Sequence, residues 1–261
     1  MSLAKGEYIS FVDSDDAINP YMYETMYNGA VQNGFPEVIT TGINFIKRDK
    51  KIDQDFSHSL RRKGQLKKVE ENPDILYWQS PSCGNKLFRK DTLKNLKFLE
   101  NCMWEDIAFS FSAIINAENV LIFGNNDYFY RRDITSGVSS KNYKINPHLT
   151  DIFKVADELE RNAKENNRYD LFAKQIQFLQ ISSCLQRISE INYWKIDDKT
   201  KRNLKNKMYS LITKKYGDPQ KLDQAILSTK VDLNEIYNMA DNSVISDEEF
   251  SSAINKEANI R

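Results

Sequence analysis

The chain has little histidine, little cysteine and no net charge. Only two histidines occur, His58 and His148. Neither has a second histidine at metal-ligand spacing, and both read as surface residues. The three cysteines, Cys83, Cys102 and Cys184, are scattered and odd in number, with no CxxC pair. That spacing argues against a disulfide framework and against a zinc knuckle, and it fits a reducing cytoplasm. Lys plus Arg and Asp plus Glu both number 37, so the formal net charge is zero. A broad polyanion-binding surface is not expected, and nucleic acid is a poor partner for such a chain. No apolar run approaches the roughly 18 residues needed to span a bilayer. The first residues lack the basic region and apolar stretch of a secretory signal. Peripheral contact with the inner face of a membrane stays open.

What is present is enough for a large core. A length of 261 residues suits one large domain or two smaller ones. The run Tyr8-Ile9-Ser10-Phe11-Val12 is short, β-branched and aromatic, and reads as a strand buried on both faces in a parallel sheet. Asn19-Pro20 predicts a helix start, with Asn19 as N-cap. Met22, Tyr23, Met26, Tyr27 and Ala30 give that helix an apolar stripe, and Gly34 ends it. A strand is expected from Glu37 to Ile46 and a charged loop or hairpin from Lys47 to Lys68. A short element at Gly84–Phe88 leads to a helix capped by Asp91. Trp104-Glu105-Asp106 opens a helix with the stripe Ile107, Ala108, Phe111, Ile114 and Ile115. Val120–Phe123 and Tyr128–Tyr130 read as two strands. After about Pro147 helical periodicity dominates, Gly217-Asp218-Pro219 breaks it, and the polar tail from Asp241 is expected to fray.

The sharpest chemical signal is Asp13-Ser14-Asp15-Asp16 at the end of the first apolar strand. Three carboxylates within four residues repel one another unless a cation sits between them. Ligands in open α/β sheets lie beyond the carboxyl ends of strands. One or two carboxylates plus substrate phosphates suit magnesium or manganese. An acidic turn that merely caps the next helix is the plainer reading.

The segment Ala4-Lys5-Gly6-Glu7-Tyr8-Ile9-Ser10-Phe11-Val12-Asp13-Ser14-Asp15-Asp16 resembles the metal-binding segment of the family-two glycosyltransferases. Further likenesses follow in the family's order. These are Asn85-Lys86-Leu87-Phe88-Arg89, then Phe98-Leu99-Glu100 with Glu105-Asp106, then Tyr128-Phe129-Tyr130-Arg131-Arg132 with Ser136 and Ser139. The resemblance spans roughly residues 4 to 141. It implies an α/β fold: a partial GT-A (nucleotide-diphospho-sugar transferase) sheet with helices over residues 1–146, followed by an α-helical region over 147–261. It implies inverting, metal-dependent transfer of a sugar from a nucleotide sugar, a UDP-sugar by expectation, to an acceptor hydroxyl on a glycan or lipid-linked acceptor in surface polysaccharide or glycoconjugate synthesis.

By that resemblance Asp13 and Asp15 hold a manganese or magnesium ion, and Asp13, Asp15, Asp16, Arg131 and Arg132 contact the donor. Asp106 takes the acceptor's proton, with Glu105 beside it. Each has a plainer reading. Glu105 and Asp106 also suit the positive end of a helix dipole. Arg131-Arg132 also suits a solvated pair, although guanidinium forks match phosphate oxygens. Trp78 and Trp104 stack on sugar rings or pack in the core. Lys86 reaches the acceptor side or pairs with a carboxylate. The histidine that some relatives carry after the Tyr-Arg segment is absent, and so is the family's leading nucleotide-binding half. Met1-Ser2-Leu3 reads as an added start. The chain alone is therefore expected to bind donor poorly and to be inactive, and its bare sheet edge to pair with a second copy. Two other classes stay open: a haloacid-dehalogenase-type phosphohydrolase, which lacks its expected partner residues here, and a non-catalytic module that docks through the helical region.

Overall fold

The computed structural model describes residues 1, 3–47, 63–132 and 146–219. His58, Ser136, Ser139 and the tail from Asp241 lie outside the described residues, as do most of the Lys47–Lys68 segment and the side chain of Arg132.

One mixed sheet organises the first part of the chain. Its strands are β1 (Tyr8–Ile9), β2 (Ala17–Ile18), β3 (Val38–Lys47), β4 (Gln65–Lys68), β5 (Lys86–Arg89) and β6 (Asn119–Arg132). They run in the order β1-β5-β3-β6-β2, and β4 joins the first half of β6. β3 and β6 are parallel, and the other pairs are antiparallel. Between the strands lie α1 (Met22–Gln32), the short α2 (Ile75–Trp78) and α3 (Glu105–Asn116). The rest is helical, with α4 (Asp151–Glu165), α5 (Tyr169–Ile191) and α6 (Asp198–Tyr216).

Two compact units divide the chain. One comprises Met1–Glu100, Glu105–Asp133 and Leu159–Phe172; the other comprises Asn101–Trp104, Ile134–Glu158 and Ala173–Arg261. In the first, α1 lays Met22, Met26 and Ala30 against Ile39, Leu87, Leu121 and Phe123 of the sheet. Gly29 permits that approach, because a Cβ there would sit 2.6 Å from the Phe123 ring. Gly34, at φ 72°, lies just past the helix end in the left-handed region. Arg168 donates from Nε to the Ile115 carbonyl at 3.0 Å and pairs with Glu70. In the second unit, Gln180 Nε2 donates to the Ala156 carbonyl at 3.0 Å, and Lys215 pairs with Asp157 at 2.6 Å. Asp197 caps α6 by accepting from the Thr200 N–H at 2.9 Å. Among the described residues no helix is long and apolar enough to cross a membrane.

Several local expectations need correction. The Tyr8–Val12 run is not a strand buried on both faces. Only Tyr8 and Ile9 pair, antiparallel to β5 and at one end of the strand order, and Val12 is exposed. Phe11 turns its ring into an aromatic cluster instead. Val120–Phe123 and Tyr128–Tyr130 belong to one strand. Its pairing with β3 jumps from Thr40–Ile122 to Gly42–Asn126, so Phe123, Gly124 and Asn125 form a bulge opposite Thr41. Thr41 Oγ1 donates to the Asn125 carbonyl there at 2.5 Å. Gln65–Lys68 is a strand rather than loop, its charged residues standing on a solvent-facing strand. Asp91 lies in a 3-10 turn, Lys90–Leu93, and caps no helix. The α-helix after Asn19 begins at Met22. Asn19 Oδ1 accepts from the Tyr21 N–H at 3.0 Å, and Asn19 Nδ2 donates to Asp127 Oδ1 at 2.6 Å.

Candidate active site

The acidic segment is a tight turn. The Asp16 N–H donates to the Asp13 carbonyl at 3.1 Å, which closes Asp13-Ser14-Asp15-Asp16 and feeds Ala17–Ile18 onto the second half of β6. Strand β6 grips the turn from the far side. The buried Tyr128 donates its hydroxyl to Asp16 Oδ2 at 2.6 Å, and the Arg131 N–H donates to Asp16 Oδ1 at 2.8 Å. The Asp13 N–H reaches the same Tyr128 oxygen at 3.4 Å. Asp16 therefore anchors the turn, whereas Asp13 and Asp15 stand on its exposed side.

The start of α3 shares this neighbourhood. Phe11, two residues before Asp13, packs edge-on against Phe109 at 5.7 Å and Phe98 at 5.2 Å; Phe98 stacks on Phe109 at 4.0 Å. Phe109 lies one helical turn beyond Asp106, so the cluster fixes α3 beside the turn. The electrostatics agree. Partial burial pushes the Asp13 carboxyl above its ordinary range, and the charges of Asp16, Asp15 and Glu105 push it the same way. Burial also raises the Cys83 thiol, with Asp106 adding to the shift, Lys86 opposing it, and Glu105 and Asp13 adding further. Asp13, Glu105 and Asp106 thus act on common neighbours. That places Asp13 of the turn and the Glu105-Asp106 start of α3 in one neighbourhood around Cys83, while the Arg132 side chain is not described.

Tyr128 and Gly84 carry no assignment from the sequence, and Lys86, expected to reach the acceptor side or a carboxylate, serves a loop. Tyr128 belonged to a quoted motif, but nothing in its spacing marked it as the anchor of Asp16. Lys86 is fully buried. Its ammonium donates to the carbonyls of Ser80 and Ser82 at 2.7 Å each and to Asn85 Oδ1 at 2.9 Å, so it shapes the Ser80–Asn85 loop. Gly84 lies flat on the Tyr128 ring: a Cβ there would come within 2.5 Å of ring carbons. Trp104 holds the left-handed φ of 61° and lies 4.5 Å from the Arg187 guanidinium, whereas Trp78 is exposed. His148 Nδ1 meets Asp151 Oδ2 at 2.8 Å.

The fit of a metal depends on its kind. Among the described residues no three His, Cys, Asp or Glu side chains converge on one point. A structural ion held by protein alone is therefore poorly served. The exposed carboxylates of Asp13 and Asp15 do suit an ion that also takes phosphate and water oxygens.

The mixed sheet with its helices matches a glycosyltransferase fold, that of TarS. The chain superimposes over 100% of its length on 69% of the Staphylococcus aureus TarS 1–349 chain solved with UDP, at a TM-score of 0.54 and 15% identity. Its sequence is 28% identical over 144 residues to the glycosyltransferase GlyG of Streptococcus pneumoniae serotype 4, covering 51% of this chain and 46% of GlyG. It is 25% identical over 206 residues to the uncharacterised glycosyltransferase YibD of Escherichia coli K12, covering 70% of this chain and 57% of YibD. The chain thus spans about half the length of the curated relatives it matches. No family model matches it.

Proposed function

We propose that this chain carries the cation-binding and proton-accepting part of an inverting glycosyltransferase. The donor is a nucleotide sugar, a UDP-sugar by analogy with the UDP in the TarS structure. The acceptor is a hydroxyl of a glycan or lipid-linked sugar. The observation that carries this reading is the packing of Phe11, two residues before Asp13, on Phe109 of α3, which sets the acidic turn beside the Glu105-Asp106 start of that helix.

Each residue has a task. Asp16, held by Tyr128 and the Arg131 N–H, sets the shape of the turn. Asp13 and Asp15 would hold a divalent manganese or magnesium ion together with the donor's diphosphate. Such an ion screens the negative charge that develops on the leaving diphosphate. Arg131 stands on the same strand end and suits a phosphate oxygen. Asp106 accepts the proton of the acceptor hydroxyl as its oxygen attacks the anomeric carbon. The bond from that carbon to the phosphate oxygen breaks, its electron pair leaves with the diphosphate, and the configuration inverts. Glu105 keeps the local field negative, which raises the proton affinity of its neighbours.

Asp106→Asn in the complete protein tests the assignment. Transfer is expected to fall about 10²–10⁴-fold, the range for a lost general base, with the circular dichroism spectrum unchanged. Undiminished transfer would remove Asp106 from the mechanism.

A further inference from the structure

A cavity of about 300 Å³ opens beside the acidic turn's supporting loop. Its walls include Thr41 and Phe45 of β3, Trp78 at the end of α2, and Gln79, Ser80 and Asn85 of the connection to β5. Both aromatic residues are largely exposed, Trp78 at 64% and Phe45 at 63%. Single exposed apolar residues are ordinary on protein surfaces. Two large rings on one cavity with a polar wall are a different arrangement, that of a site for a small ligand with an apolar face and hydroxyl edges.

The wall is pre-set. Asn85 Nδ2 donates to Thr40 Oγ1 at 3.3 Å and also to the Thr41 carbonyl, and Asn85 Oδ1 accepts from the buried Lys86 ammonium. The same ammonium holds the Ser80 and Ser82 carbonyls. Phe45 is held edge-on to Tyr130 at 5.7 Å. Little ordering remains to oppose binding.

Charge narrows the ligand. No Lys, Arg, Asp or Glu lines the cavity among the described residues, so a phosphate or carboxylate has no partner there. An acyl chain would leave the Gln79 amide and the Ser80 hydroxyl facing hydrocarbon. The volume lies at the low end of the range of about 300–1,000 Å³ for small-molecule sites, which suits one ring. Position narrows the role. The Ser80–Asn85 loop gives Ser80 and Asn85 to the cavity, and it carries Cys83, whose Sγ meets the Asp106 carbonyl at 4.0 Å.

From these features we infer that the cavity is a subsite for a neutral pyranose ring of the acceptor, stacked on Trp78. The acceptor role rests on the glycosyl-transfer reading above; the pyranose site itself rests on the cavity. Saturation-transfer NMR tests it, with the chain, three probes (methyl β-D-glucopyranoside, methyl β-D-galactopyranoside and N-acetylglucosamine) and UDP-N-acetylglucosamine as a donor control. Saturation is expected to reach the ring protons of at least one probe. It should fall at least fivefold in Trp78→Ala and return in Trp78→Phe, with unchanged circular dichroism. No transfer to any probe, or transfer indifferent to Trp78→Ala, overturns the proposal. Saturation seen only with UDP-N-acetylglucosamine would seat the donor's sugar there and overturn the acceptor role. A calorimetric titration of UDP with Mn²⁺ on the complete protein and its Trp78→Ala variant separates the two readings. Trp78-dependent sugar signals without UDP binding would keep the subsite and remove the donor site.

Discussion

Tyr128 donates its hydroxyl to Asp16 at 2.6 Å, and with the Arg131 N–H on the same carboxylate it ties the acidic turn to the sheet. The tyrosine is fully buried. Burial, and then the Asp16 carboxylate that accepts its proton, push the phenol well above its ordinary range. The hydroxyl therefore stays protonated and keeps donating. Tyr128→Phe is expected to cost about 2 kcal/mol, the usual worth of a hydrogen bond to a charged group, and to loosen the turn. Chemical denaturation measures the first effect. An unchanged unfolding midpoint would show that the bond contributes nothing.

Gly84→Ala acts on the same bond from the opposite side. The added methyl would meet Tyr128 ring carbons at 2.5 Å and its oxygen at 2.7 Å. Since the ring is buried, it has nowhere to relax, and a loss of about 1–3 kcal/mol is expected. Gly42 is a contrast, because the nearest atom to its added Cβ is the side-chain oxygen of the exposed Asn126. Thermal unfolding of both variants checks the prediction, and equal losses would contradict it.

Lys86→Met removes a buried ammonium that serves three oxygens, those of Ser80, Ser82 and Asn85. The methionine fills the space but leaves those acceptors unsatisfied in the interior. A loss of about 3 kcal/mol is expected, close to the upper cost of an orphaned buried polar group. Urea unfolding decides it; a neutral substitution would mean that water replaces the ammonium.

Asp151 gives an acid-dependent test in the helical unit. Its side chain is 7% exposed. Burial alone would raise its carboxyl, but hydrogen bonds from Lys154, His148 and the Met103 N–H hold it below its ordinary value. A depressed carboxyl stabilises the fold above its unfolded pKa of about 3.9, and that stabilisation is lost as pH falls through the folded value. Asp151→Asn is therefore expected to cost about 2 kcal/mol at pH 7. The gap to the unsubstituted chain should close as pH drops below about 4. A gap that stays constant into acid would contradict the account.

Legibility in the sequence followed periodicity. The stripe of α1 and the acidic opening of α3 were readable because a 3.6-residue period repeats over three turns. β3 was readable as a bounded β-branched run. The Tyr8–Val12 strand misled, because an apolar run does not say whether its side chains meet a sheet face or an aromatic cluster. β6 read as two strands because Gly124-Asn125-Asn126 looks like a turn, and only tertiary pairing with Gly42 reveals a bulge. At the site, the carboxylates announced themselves by clustering. Tyr128, Lys86 and Gly84 did not, because their roles depend on partners 112, 6 and 44 positions away in sequence.

The central claim is that the acidic turn holds a divalent cation against a diphosphate. Electron paramagnetic resonance of Mn²⁺ titrated into the complete protein, with and without UDP, tests it most directly. The account predicts that UDP tightens Mn²⁺ uptake and that Asp13→Asn with Asp15→Asn abolishes it. Mn²⁺ uptake that ignores UDP and survives both substitutions would contradict it.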